Sequence, residues 1–159
     1  MNRQTSEHAP VILLVGNSTL HRDTCWGTLT IPSLTIKPLL KRSFDLRAHL
    51  SPSVEAIIYQ TGPRTADTLQ FLDEVAKRQN DLCVILIGRQ GKADTVAQFL
   101  RRGAFDFITW PASHARIADS ITSGLANRRT FLEVRNLSGD LAEANAALAH
   151  EREIGRAHV

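Results

Sequence analysis

The first residues to question for chemistry are those of the pentapeptide GRQGK, Gly88 to Lys92, which lies between a strand-like apolar run and a helix-like stretch. Backbone amides at such a helix start can hold an anion, and glycines let a phosphate approach the chain. The spacing is wrong for a nucleotide loop. Two residues rather than four separate the glycines, and Ala93 stands where Ser or Thr would hold magnesium, so a plain connecting loop is the simpler reading. His21 and Cys25 are four apart on one helix-like stretch, but two ligands without a third or fourth make no metal site. No Gly-x-Ser-x-Gly motif occurs, and no Gly-x-Gly-x-x-Gly follows a strand. Arg101 and Arg102 end a helix-like stretch, where cations complement the helix dipole. These residues lead to the expectation of a protein without catalytic residues, metal or cofactor.

The bulk properties agree with one globular domain. The chain has 159 residues, 43% of them hydrophobic and 22% charged, enough for a single core and too few for two comfortable ones. A formal net charge of +3 is only mildly basic, and no Lys/Arg run exceeds two residues, so nucleic-acid binding has no support from this segment. Cys25 and Cys83 lie in apolar surroundings without metal-ligand spacing, as free thiols in a reducing compartment do. The polar start MNRQTSEHAP carries no apolar signal region, and no stretch approaches membrane-spanning length. A cytoplasmic location, with no membrane contact, is expected.

Stepping along the chain, the elements that must position these residues alternate between strand and helix. The clearest unit runs from Val84 to Pro111. A buried strand at Val84–Ile87 is followed by a glycine loop and a helix over Lys92–Arg102 with Val96, Phe99 and Leu100 inward; Gly103 is the left-handed stop, and a strand restarts at Phe105–Thr109. Before it, residues 1–9 read as a flexible start and Val11–Val15 as a central strand. A helix to about Thr30 follows, capped by Asn17, Ser18 or Thr19, with Leu20, Cys25, Trp26 and Leu29 on its apolar side. Leu34–Leu40 is a second strand, placed at a sheet edge because Pro38 has no N–H for a ladder. A short helix capped by Ser43 carries Phe44, Leu46 and Leu50. A third strand spans Ala56–Tyr59, and a third helix, capped by Thr65 or Asp67, turns Leu69, Leu72, Val75 and Ala76 inward. Repeated units of this kind build an open parallel sheet with helices on both faces.

The fifth helix starts near Ala112, with Ile117, Ile121 and Leu125 on its buried side, and does not stop at the end of the domain. From Asn127 onward Val134, Leu137, Leu141, Ala144 and Leu148 step by three and four, a coiled-coil seam of about two heptads. Arg128, Arg129, Arg135, Arg152 and Arg156 balance Glu133, Asp140, Glu143, Glu151 and Glu153 there, which favours a pairing helix over a DNA-reading one. Gly139 and Gly155 weaken it, and a solvated helical tail is the other reading. The expected organisation is a domain at 10–126 and a helical dimerisation or linker segment at 127–159.

Five strand–helix pairs, an edge-like second strand and the phrase GAFDFITWP at Gly103–Pro111 together resemble the receiver domain of bacterial response regulators, over about Val11 to Arg128. The resemblance implies a flavodoxin-like sheet of order 2-1-3-4-5 with its pocket at the carboxyl ends of strands 1, 3, 4 and 5, and a cis peptide bond before Pro111. It also implies that the chemistry has been lost. The two magnesium-holding acids of the family match Gly16 and Asn17, the phosphoryl-accepting aspartate matches Gln60, the hydroxyl residue after strand 4 matches Gly88, and the lysine before the last proline matches Trp110. Phe107 holds the aromatic switch position without a hydroxyl. Magnesium wants carboxylate oxygen, and an amide cannot become an acyl phosphate. The nearest acids, Glu55 and Asp67, belong to the start of strand 3 and to the next helix.

The expectation is therefore a pseudo-receiver that takes no phosphoryl group and serves a two-component-type signalling protein as an interaction, dimerisation and signal-transmission module. It would be the N-terminal part of a longer regulator with an output domain or partner. By the resemblance its interface comprises Arg101, Arg102, Phe107, Ile117 and Ile121, joined by Val134, Leu137, Leu141 and Leu148 of the seam, where a homodimer would form. The alternative is a small-ligand sensor using the pocket near Gln60, Gly88 and Trp110. The direction of the Trp110 ring separates the two, since a ring turned inward leaves no room.

Overall fold

The structure, a computed structural model, describes residues 10–20, 34–89 and 91–157, and side chains as far as residue 148. Five strands, β1 (Val11–Gly16), β2 (Thr35–Leu40), β3 (Val54–Gln60), β4 (Cys83–Gly88) and β5 (Ala104–Thr109), form one parallel sheet in the order β2-β1-β3-β4-β5. The apolar runs explain the order. All six residues of β4 are buried, as a strand covered on both faces requires. In β2 none is fully buried, and it takes an edge, where Pro38 stands opposite Leu14.

The described helices are a helical stretch at residues 18–20, labelled α1, then α2 (Leu46–His49), α3 (Thr65–Arg78), α4 (Ala93–Arg101) and α5 (His114–Ala157), with a 3-10 turn at Lys41–Ser43 before α2. Alternate strand residues feed two cores. Ile12, Leu14, Ile58, Ile85 and Ile108 meet Leu20 of α1 and Ile117 and Ile121 of α5 on one face. Leu13, Val15, Ile57 and Leu86 meet α3 and Phe99 of α4 on the other. Cys25, Trp26 and Leu29, like His21, lie outside the described residues, as do residues 1–9.

Some local expectations hold and others are corrected. Asn17 is the cap of α1, its side-chain oxygen accepting the Leu20 N–H at 2.8 Å. Ser43 does not cap α2; it lies in the 3-10 turn, and Asp45 accepts the Arg47 N–H at 3.0 Å instead. Neither Thr65 nor Asp67 caps α3, because the helix opens one residue earlier around Arg64, which makes no side-chain cap bond. The buried row of α3 is Thr68, Phe71, Leu72 and Val75; the larger ring of Phe71 takes the inward position, leaving Ala76 exposed and Leu69 half-buried. On α4, Phe99 is buried while Leu100 is 44% exposed. Pro111 and Ala112 stay outside α5, which Ser113 caps by accepting the Arg116 N–H at 3.1 Å. Gly103 has φ +108°, the left-handed geometry a helix-to-strand turn asks of glycine, and the Trp110–Pro111 bond is cis.

Helix α5 has 44 residues, a rod of about 66 Å, and only its first half lies on the sheet. Two of its glycines, Gly124 and Gly139, differ sharply. A Cβ at Gly124 would fall 2.5 Å from the Cys83 sulfur and 3.1 Å from the Phe105 ring, whereas one at Gly139 meets nothing within 4 Å. Gly124→Ala is therefore expected to destabilise by about 1–3 kcal/mol through overpacking, and Gly139→Ala to stabilise by up to about 1 kcal/mol through helix propensity. Chemical denaturation of the two variants, which should shift in opposite directions, checks this.

Candidate functional site at the strand tips and the helix stem

A parallel sheet buried on both faces exposes polar groups only at its ends, and the candidate residues meet at the carboxyl end. The Gln60 side-chain carbonyl accepts the Asn17 N–H at 2.7 Å, while the Asn17 side chain is engaged as the α1 cap. Gly16 has no Cβ because one there would lie 2.6 Å from Leu20 and 3.1 Å from Gln60 Oε1. Across the crest, a Cβ at Gly88 would strike the Thr61 hydroxyl and come within 3.2 Å of the Phe107 ring. Thr61 thus occupies space a side chain at 88 would take, its N–H donating to the Ile87 carbonyl at 2.9 Å. Phe107 is half-buried and stacks on Phe99, ring centroids 6.2 Å apart. The Trp110 N–H donates to the Gly88 carbonyl at 2.7 Å, and its half-buried side chain packs against the core beneath α5.

The arrangement does not suit the magnesium ion that the resemblance would place here. Gly16 offers no side-chain oxygen, those of Asn17 and Gln60 are occupied by backbone amides, and neither is a carboxylate. Among the described residues no three His, Cys, Asp or Glu side chains cluster to hold a metal. The cation at the crest comes from another element: Lys41 Nζ donates to the Gln60 carbonyl oxygen at 2.9 Å and lies 4.6 Å from the Tyr59 ring centre. Burial holds the Lys41 ammonium below its ordinary pKa, against the pull of Asp67. Burial, followed by the charges of Asp67 and Glu74, pushes the Tyr59 phenol up. Neither Lys41 nor Thr61 stood out in the sequence, since both are brought to the crest only by strand register.

The expected interface divides. Ile117 and Ile121 are 0% exposed, so they are core rather than contact surface; each fills the sheet face under α5. Arg102 turns away from β5 and α5 and pairs with Asp73 of α3 at 2.7 Å, while Arg101 is exposed. Along the stem Val134, Leu137, Leu141 and Leu148 are 54–64% exposed. Two charged centres were missed. Asp106 of β5 accepts from Arg116 and Ser120 of α5, both at 2.8 Å, and from the Phe107 N–H. Arg128, with its side chain 11% exposed, pairs with Glu55 at 2.8 Å and Asp81 at 3.1 Å and also donates to the Asp81 carbonyl. It ties α5 to the amino ends of β3 and β4, two residues beyond the expected boundary at 126. Pairs separated by 73 and 47 positions leave no local signal. Cys83 lies beneath Gly124, and burial raises its thiol pKa to about 12, so it is chemically inert. Among the described residues no helix is long and apolar enough to cross a membrane.

The fold is that of the receiver domains of response regulators, and it is to regulators carrying such domains that the chain is similar. No family model matches the chain. The C4-dicarboxylate transport transcriptional regulatory protein DctD of Pseudomonas aeruginosa is 37% identical over 90 residues, which cover 57% of this chain and 19% of that protein. The transcriptional regulatory protein TdiR of Thauera aromatica is 23% identical over 136 residues, covering 86% of this chain and 60% of its own length. The structure of NtrX from Brucella abortus in complex with ATP superposes with a TM-score of 0.68 at 26% identity, over 81% of this chain and 30% of NtrX. The chain thus spans about a fifth and three fifths of the two regulators it matches.

Two consequences are measurable. Arg128→Met leaves Glu55 and Asp81 without their cation and frees the helix at its exit; a loss of about 2–3 kcal/mol is expected, read by urea unfolding. For Asp106, burial raises the carboxyl pKa, but the bonds from Arg116 and Ser120 and the Arg116 charge outweigh it, so the folded value lies below the ordinary one. Its stabilisation is complete above the unfolded pKa of about 3.9 and is lost as pH falls through the folded value. Asp106→Asn should destabilise at pH 7 and converge on the parent at the acid end, in unfolding curves taken across pH.

Proposed function

We propose that this chain is a pseudo-receiver that works without phosphorylation, a cytoplasmic dimerisation and signal-transmission module placed ahead of an output domain in a longer regulator. The observation that carries the reading is the exposed apolar seam on a helix that outruns its sheet: Val134, Leu137, Leu141 and Leu148 face water along one side of α5. Pairing with a second copy would bury this seam. Burial of the seam from both chains is worth on the order of 10 kcal/mol, against an association cost of about 4–15 kcal/mol, which makes pairing concentration-dependent. Independence from phosphorylation is supported by Gln60, whose amide stands at the acceptor position and is already bonded to Asn17. No observation favours the ligand-sensor reading, since the Gln60 side-chain oxygen and the Gly88 carbonyl are both taken by N–H groups of the chain itself.

Light scattering after size exclusion tests the dimer. The full chain should behave as a dimer at tens of micromolar (about 10–100 µM), and both Leu141→Glu and a chain ending at Arg129 should be monomeric. A monomeric full chain would sink the reading. Incubation with acetyl phosphate and magnesium should leave no base-labile adduct on the chain, and a stoichiometric one would overturn the independence from phosphorylation.

A further inference from the structure

The other face of the helix stem borders an opening that the pairing seam does not use. Between α2, the end of α3 and α5 lies a groove of about 710 Å³, within the usual range for small-molecule sites. Its apolar lining comes from Leu46, Leu50, Pro52 and Leu132, and the same groove is lined by Arg47, Arg78, Arg128 and Arg135. The charges there do not balance. Asp81, the acid of the groove, is taken by Arg128, which also takes Glu55. Arg47, Arg78 and Arg135 have no ion pair among the described residues; Arg135 has only the Phe131 ring, 6.0 Å from its guanidinium carbon. Like charges gathered round one opening repel each other and raise the local positive potential. Guanidinium forks match phosphate and carboxylate oxygens in pairs.

We propose that this groove binds a small organic polyanion, with two or more phosphate or carboxylate groups on an apolar body, bridging Arg47 and Arg78 of the sheet domain to Arg135 of the stem. Three free cations match two or more negative charges, and the leucine and proline lining accepts the apolar part. The volume of the groove is that of a small-molecule site. In heptad terms Leu132 and Arg135 fall on the side of α5 away from Val134, Leu137 and Leu141, so the site remains open in a paired helix and does not depend on pairing. An anion held there would be a second tie across the joint, next to Arg128, and would stiffen the exit of the stem.

Isothermal titration calorimetry of the full chain, with pyrophosphate and with citrate as probes at moderate salt, tests the site. Saturable one-to-one binding at about 1 mM or below is expected. Arg78→Gln and Arg135→Gln should each weaken it about tenfold, which corresponds to about 1.4 kcal/mol. Arg101→Gln, at an exposed position that ends α4, should leave it within about twofold. Binding of pyrophosphate alone would assign phosphate chemistry, and binding of both probes a general polyanion site. Arg135 projects from the exposed stem, so its variant keeps the fold, which circular dichroism verifies. Absence of binding by both probes, or an equal loss in Arg101→Gln, would overturn the proposal. Light scattering on the same samples separates this outcome from a failure of the dimer, because a monomer that still binds leaves the site standing.

Discussion

A parallel sheet has no face to leave in water, and most of this molecule follows from that constraint. β4 is buried throughout, and β1 has five of its six residues buried. Helices must cover both sides, and each crossover must travel the length of the sheet to restart the next strand. Polar side chains are thereby pushed to the strand ends, the edge strands and the outer helix faces. Asp106 is instructive as the inward-facing acid of an edge strand: it is tolerated because Arg116, Ser120 and the Phe107 N–H satisfy it, and a charge held there discourages pairing with another strand.

At the carboxyl crest the same constraint concentrates backbone amides and carbonyls that must find partners. In this chain side chains provide them. Gln60 and Asn17 each spend an oxygen on an N–H of the β1–α1 turn, and Lys41 covers the Gln60 carbonyl. Gly88 and Thr61 have exchanged bulk, with a bare backbone on β4 and a hydroxyl leaning in from the residue that follows β3. Phe107 then lies against both Gly88 and Gly91, where added Cβ atoms would come within 3.2 and 3.3 Å of its ring. Side chains and backbone groups of the chain thus satisfy one another across the crest.

The strands and long helices were legible in the sequence because burial on two faces writes continuous apolar runs, and helix faces write a period of three to four. Pro38 marked the edge and Gly103 the turn for reasons of backbone geometry alone. Finer choices were not legible. Whether Ser43 or Asp45 caps α2, or whether Phe71 or Ala76 turns inward on α3, depends on small differences in entry angle that tertiary packing decides. Among site residues, Gln60, Gly16, Asn17 and Gly88 could be placed from strand ends. Lys41, Thr61 and Arg128 could not, since their partners come from other elements through register.

Arg128 shows why the end of the domain is hard to find from chain pattern. Helix α5 continues unbroken through it, so no cap or glycine marks the boundary. Up to Arg128 the helix is held by apolar packing of Ile117 and Ile121 and by two ion pairs; beyond it Leu132 is still half-buried, while Phe131 at 46% and Val134, Leu137, Leu141 and Leu148 at 54–64% are exposed. A single helix exposing such a seam gains nothing in water from its leucines, and propensity alone holds it only marginally. The charged clamp between the amino ends of β3 and β4 and the helix is directional and strong when both acids are in place, and unlike an apolar contact it can be altered by changing one charge.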